Sequence, residues 1–179
     1  KILGINFGHD SSVALIVNGK LINAIEEEKV SRIKQDFGWP KKSINFILSE
    51  NKIKPSEIDL IVFGGGIYNH LRKNEIKYRF TKNKYRKLFE ILDRSLAYFK
   101  IKTENISHKN KLVFTSQLKN LGFINAKIDF YNHHLCHAIT AYYCSPFDVD
   151  LVLTADGHGD GQSLNFYVNG SNNNLSCIK

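Results

Sequence analysis

The head of the chain is echoed near its end. Residues 2–19 run Ile-Leu-Gly-Ile-Asn-Phe, then Gly8-His9-Asp10-Ser11-Ser12, then Val13-Ala-Leu-Ile-Val17 and Asn18-Gly19. Residues 151–170 run Leu-Val-Leu-Thr-Ala-Asp156, then Gly157-His-Gly-Asp160-Gly161, then Asn165-Phe-Tyr-Val168 and Asn169-Gly170. Short apolar runs bounded by Gly read as buried strands, and Asn-Gly is a preferred two-residue hairpin turn. A unit recurring after about 150 residues predicts a duplicated lobe. Each copy opens with a hairpin whose small polar loop leaves backbone N–H groups free to approach phosphate in a shared cleft. Asp10, Ser11, Ser12, Gly157 and Asp160 are therefore candidate substrate- or phosphate-binding residues. Residues 1–149 are expected to form the first lobe, and 150–179 the opening hairpin of a second lobe that is cut after its first strands.

The intervening sequence alternates strand and helix patterns, as an α/β fold requires. Leu21 to Ile25 completes the first hairpin, and Asp59 to Phe63 is a buried strand closed by Gly64-Gly65-Gly66. Pro40 opens a helix whose Ile44, Ile47 and Leu48 share a face. Leu112 to Leu121 reads as a helix ended by Gly122, and Ala126 to Tyr131 as a strand. The charge run Glu26 to Lys34 has two open readings. It is a solvated helix face, or Arg32 and Lys34 reach a phosphate held by the polar loop of the neighbouring strand.

The strand ending at Tyr131 delivers the chain to His133-His134-Leu135-Cys136-His137, and Leu135 to Cys144 reads as an apolar helical run. On a helix His133 and His137 project from one face, the spacing that offers two imidazoles to one cation. Asp156 follows at the far end of the next strand. Two His and one carboxylate leave open positions suited to Fe(II), Mn or Zn acting as a Lewis acid or binding phosphate. The plainer reading is a helix start with solvated imidazoles. Cys136, one residue from His137, points elsewhere and reads as a small buried hydrophobe.

Residues 72–111 hold 13 Lys and Arg against 4 Asp and Glu, so this segment alone exceeds the whole chain's net charge of +8. Tyr85, Leu88, Phe89, Leu92, Leu96 and Phe99 keep helical spacing within it, which predicts a basic helical insertion at about 68–105. Aromatic residues among the cations would allow nucleic-acid contact, but a solvated face or one bordering an anionic substrate is the favoured reading. No apolar run approaches the length of a membrane span, and no signal-peptide pattern opens the chain. Three cysteines without framework spacing point to reduced thiols and a cytoplasmic setting.

Four motifs together carry a family resemblance: Gly8-His9-Asp10-Ser11-Ser12, Glu26-Glu-Glu-Lys-Val-Ser-Arg-Ile-Lys34, His133-His-Leu-Cys-His137-Ala138 and Leu153-Thr-Ala-Asp156-Gly-His-Gly-Asp160-Gly161. In this order they resemble the O-carbamoyltransferases of the nodulation and antibiotic-tailoring type. The resemblance implies an actin-like, ribonuclease-H-type duplicated α/β fold, similar to that of the tRNA threonylcarbamoyl transferases. In such enzymes a separate C-terminal domain converts carbamoyl phosphate and ATP into carbamoyl adenylate. The actin-like domain then passes the carbamoyl group to an acceptor hydroxyl on a small molecule or saccharide.

Carried over by motif, His133, His137 and Asp156 would hold a metal, typically iron. His9 would lie at the transfer centre, and Lys34 would contact the intermediate or its phosphate. Lys29 departs from the family pattern, which usually has Arg there. The rest of lobe two, a further acidic metal ligand and the adenylate-forming domain are expected beyond residue 179, so the chain alone is expected to be inactive.

Rival readings are an actin-like-fold ATPase or kinase-type phosphotransferase, which needs neither His133 nor His137, a nucleic-acid-binding module using the basic insertion, and a metal-dependent hydrolase. The acceptor and the oligomeric state are not legible.

Overall fold

The computed structural model of the chain describes residues 1–6, 10–36, 38–64, 115–160, 162–170 and 174–178. The basic insertion, Gly65-Gly66 and His9 lie outside the described residues. Strands β1 (Ile2–Asn6), β2 (Ser12–Val17) and β3 (Lys20–Glu26) form an antiparallel meander. At the β2–β3 turn Asn18 and Gly19 take φ of 50° and 77°, the left-handed pair that a tight hairpin turn favours.

Strands β4 (Leu60–Gly64) and β5 (Lys127–Tyr131) continue the sheet in parallel, giving the order β3-β2-β1-β4-β5. Parallel pairing demands a crossover. The one from β3 to β4 carries α1 (Glu27–Ser31) and α2 (Lys41–Glu50).

Alternation along the strands sends two kinds of side chain to the two faces. Leu3, Leu15, Ile61 and Phe63 are fully buried and pack with Ile44 and Ile47 of α2. Each such side chain contributes about 1.5–3 kcal/mol. Gly4, Ala14 and Ala24 occupy the opposite face, with Gly4 close against Ala14.

The mixed-charge run resolves into the short helix α1 and an exposed turn. Glu27 is completely buried, and its two carboxylate oxygens accept the backbone N–H groups of Lys42 and Ser43 at 3.1 and 2.8 Å. Pro40 is the N-cap of α2, one position earlier than expected, and makes no side-chain cap bond, so Glu27 supplies that acceptor.

Helix α3 (His133–Cys144) follows β5 directly, starting two residues before the apolar run. A second sheet, order β6-β7-β8, consists of β6 (Leu151–Gly159), β7 (Gln162–Asn169) and β8 (Leu175–Ile178). It is an antiparallel meander like β1-β2-β3. Leu3 pairs with Leu15 in the first copy and Leu153 with Phe166 in the second. Asp10 and Asp160, at matching places in the two hairpin loops, both sit in the left-handed region at φ 51° and 53°. The inner face of the second sheet packs Val152 and Tyr167 on Ala138 of α3, while Leu153 and Phe166 on the outer face are 56% and 41% exposed. None of the three cysteines forms a disulfide.

Candidate metal centre

Two devices fix the start of α3. Asn132 is the N-cap, its side-chain oxygen accepting the Leu135 N–H at 3.1 Å. From the other side, Asp160 Oδ2 accepts the His133 N–H at 2.7 Å. With the helix so held, His133 and His137 stack edge to face, ring centroids 4.6 Å apart.

Asp156 reaches them from β6. The strand was expected to stop at Ala155; instead it continues to Gly159, with a register shift between Ala155 and Gly159. Asp156 keeps the alternation of Val152 and Thr154, the buried residues of this face, and so points at α3.

Asp156 Oδ2 lies 2.6 Å from His133 Nε2 and 3.7 Å from His137 Nε2, and the two Nε2 atoms are 2.9 Å apart. Two ligands each about 2.1 Å from one ion, at right angles to each other, would stand roughly 3 Å apart. A single proton serves this crowd badly, because the His133 Nε2–H can face Asp156 or His137 but not both. One cation satisfies all three, so the donor set fits a divalent metal. The centre is part exposed, which leaves coordination positions open on its solvent side. Among the described residues no other three His, Cys, Asp or Glu side chains converge in this way. The His133 hydrogen bond holds the Asp156 carboxyl below the ordinary carboxylate value, aided by the Gly157 N–H and opposed by burial.

Beside the centre opens a cavity of about 840 Å³ between α3 and the small-residue face of the first sheet. Ser12, Glu26, Lys29, His133 and His137 contribute to its walls; Arg32 and Lys34 do not. Arg32 is the left-handed C-cap of α1 and Lys34 an exposed turn residue. The other candidates are spread out. Ser11 is buried, its N–H and hydroxyl both directed at the Asp36 carbonyl oxygen at 3.1 and 2.9 Å. The Asp10 carbonyl accepts from Asn6 Nδ2. Gly157 is exposed and donates its N–H to Asp156 Oδ1. Asp160 is joined to the centre through the helix it caps.

Two participants carried no signal as site residues in the sequence, Gly159, packed tightly against His133, and the buried His134 beside it. Lys29, where the sequence departs from the family pattern, borders the cavity, whereas Arg32 and Lys34 do not. The Asn132-His133 step was the one available signal, a cap residue opening the helix at its first histidine. Cys136 lies under the end of β4, where a Cβ on Gly64 would meet its sulfur at 3.4 Å, and takes no part in the converging set.

No helix among the described residues is long and apolar enough to cross a membrane. In a structure comparison the chain is similar to YeaZ from Pseudomonas aeruginosa, at a TM-score of 0.50 and 11% identity, covering 99% of this chain and 64% of that one. The fold is accordingly of the actin-like, ribonuclease-H-type class. Among curated relatives, a Synechocystis protein, sll1178, is 32% identical over 98% of this chain and 28% of its own length. Nodulation protein NolNO of Sinorhizobium fredii is 31% identical over 86% of this chain and 20% of its own length. The chain thus spans less than a third of the length of these relatives. The family model described as Carbamoyltransferase N-terminus matches residues 1–178, and the chain belongs to that family.

Proposed function

We propose that the chain is the N-terminal part of an O-carbamoyltransferase that moves a carbamoyl group from carbamoyl adenylate to a hydroxyl acceptor. The supporting observation is the convergence of His133, His137 and Asp156 beside an open cavity, in a chain of this family. Residues 1–149 form the first lobe and 150–179 open the second. The remainder of the second lobe and an adenylate-forming domain, which consumes ATP and carbamoyl phosphate, belong to the longer protein.

His133, His137 and Asp156 hold the metal, with Fe(II) the first choice and Zn or Mn the alternatives. Bound there, it supplies a Lewis acid for a carbonyl or phosphoryl oxygen. In the transfer, the acceptor oxygen bonds to the carbamoyl carbon, the bond from that carbon to the phosphate oxygen breaks, and AMP departs. His9 takes the hydroxyl proton as general base. From outside the cavity wall Lys34 and Arg32 reach in to the phosphate of the leaving group, with Ser12, Asp10, Gly157 and Asp160 toward the nucleotide end; Ser11, whose hydroxyl is taken by Asp36, is not among them. The acceptor is a hydroxyl-bearing small molecule or saccharide, not a nucleic acid.

The test is carbamoyl transfer by the full-length protein from radiolabelled carbamoyl phosphate and ATP to a panel of hydroxyl compounds, with metal content measured alongside. His133→Ala and His137→Ala are expected to lose both metal and transfer. His9→Ala is expected to lose transfer and keep metal; metal loss in that variant would reassign His9 to structure. Transfer at full rate in both metal-ligand variants would rule out the metal-assisted reading. ATP hydrolysis surviving without transfer would favour the phosphotransferase instead.

A further inference from the structure

His134 sits between the two proposed ligands of α3 in sequence, its ring edge to face with both at centroid distances of 5.8 and 6.5 Å, yet its nitrogens bond elsewhere. It is completely buried, and both ring nitrogens are engaged. Nδ1 lies 2.9 Å from Thr154 Oγ1, and Nε2 lies 2.9 Å from the Gln162 carbonyl oxygen. A carbonyl oxygen only accepts, so Nε2 carries the proton toward Gln162, while Nδ1 pairs with a Thr154 hydroxyl that also lies 3.4 Å from the Asn165 carbonyl oxygen. One imidazole thereby ties α3 to β6 and β7 together. Thr154 stands two residues before Asp156 on the same strand.

A helix presented to a sheet has two soft degrees of freedom, rotation about its axis and sliding along it. Asn132 and Asp160 hold only the end of α3. His134 adds two bonds of fixed direction beside the site, to two strands at once, and removes both freedoms. A displacement of about 1 Å is enough to spoil a site of this kind.

We infer that His134 is a positioning residue, which with Thr154 sets the rotation and height of α3 so that His133 and His137 meet Asp156. The inference rests on the metal-centre reading above for its functional meaning, but the geometric part stands without a metal. A histidine buried only for packing would affect the stability of the fold and not the geometry of the neighbouring pair.

The test uses four purified variants of the full-length protein beside the full-length parent, all well below their melting temperatures: His134→Leu, His134→Gln, Thr154→Val and, as control, His133→Ala. Leu fills the volume but makes neither bond. Gln can offer an N–H to the Gln162 carbonyl and an oxygen to the Thr154 hydroxyl. Val is nearly isosteric with Thr and leaves His134 in place, which keeps the test informative where His134→Leu fails to fold.

Co(II) is the probe, because its visible bands report ligand geometry directly. Positioning predicts that His134→Leu and Thr154→Val weaken Co(II) binding about 10- to 100-fold and move its bands, while His134→Gln restores much of both. Unchanged affinity and bands in folded Thr154→Val would overturn the inference while leaving the metal centre intact. Where the parent itself binds no Co(II), the metal reading fails, and the crystal structure of metal-free Thr154→Val decides the geometric claim. A His133–Asp156 separation opened beyond hydrogen-bond reach supports it; the parent separation refutes it.

Discussion

Gly159 and His133 are packed so closely that no side chain can be added between them. A Cβ built on Gly159 would stand 2.9 Å from His133 Cγ, 3.1 Å from Nε2 and nearer still to Cδ2. Gly159 pairs with Gln162 across the β6–β7 turn, so its backbone has little room to yield. Gly159→Ala should therefore turn the His133 ring out of line. The expected result is a loss of metal affinity of about 10- to 100-fold, with a stability cost of about 1–3 kcal/mol. A chelator-competition titration beside urea unfolding separates the two effects, and unchanged affinity would show that the ring adjusts without loss.

In the metal-free chain Asp156 should titrate below a free aspartate, chiefly because His133 donates to it. The folded value is the lower one, so this stabilising contribution is present above the unfolded value of about 3.9 and is lost as pH falls through the folded value. Carboxyl-carbon NMR follows the titration directly. His133→Ala should move the midpoint back up toward the ordinary value and reduce the acid dependence of stability in that window.

Glu27 closes the first turn of α2 from a position with no contact with water. Glu27→Ala should cost about 1–3 kcal/mol, since the buried Ser43 N–H and the part-buried Lys42 N–H lose their acceptors. Glu27→Gln should recover only part of this. The carboxylate uses one oxygen for each N–H, whereas a carboxamide has a single oxygen and turns its NH₂ toward the other donor. Urea midpoints for the three proteins give the ranking parent, Gln, Ala.

Asp160 combines a left-handed backbone with a cap on α3, and three substitutions separate these. Asn keeps an acceptor and tolerates the conformation, Gly keeps only the conformation, and Ala keeps neither. Stability should fall in that order, with Ala lower than the parent by about 1–2 kcal/mol. Thermal unfolding checks the order. A substrate contact would show instead as a rise in KM without this ranking.

Local patterns in the sequence carried the strands, the Asn18-Gly19 turn, α2 and the duplicated meander, because alternation, turn chemistry and helical spacing are all short-range. The His133–His137 pair was legible for the same reason. Asp156 was legible as a candidate, and strand alternation alone aims it; the irregularity that follows it in β6 was not legible, since it depends on pairing with Gln162.

Roles decided by distant partners stayed hidden. Ser11 looks like a phosphate-loop hydroxyl until Asp36 is seen to take it. Glu27 sits in a run of charges and nothing beside it marks it as buried, because the helix end it caps begins 15 residues later. His134 is indistinguishable from its neighbours in sequence, and only the positions of Thr154 and Gln162 separate it from them.

The centre is also local along the chain. His133 meets Asp156 across 23 residues and Asp160 across 27, and His134 meets Gln162 across 28. By contrast β4 must find β5 across everything between Gly64 and Lys127. Closing a short loop costs less entropy than closing a long one, and nearby contacts form sooner. During refolding, α3, β6 and β7 should come together ahead of the five-stranded sheet. A cation taken up by the proposed ligands would then be captured by a chain whose first lobe is still open, and would act as a nucleus for folding.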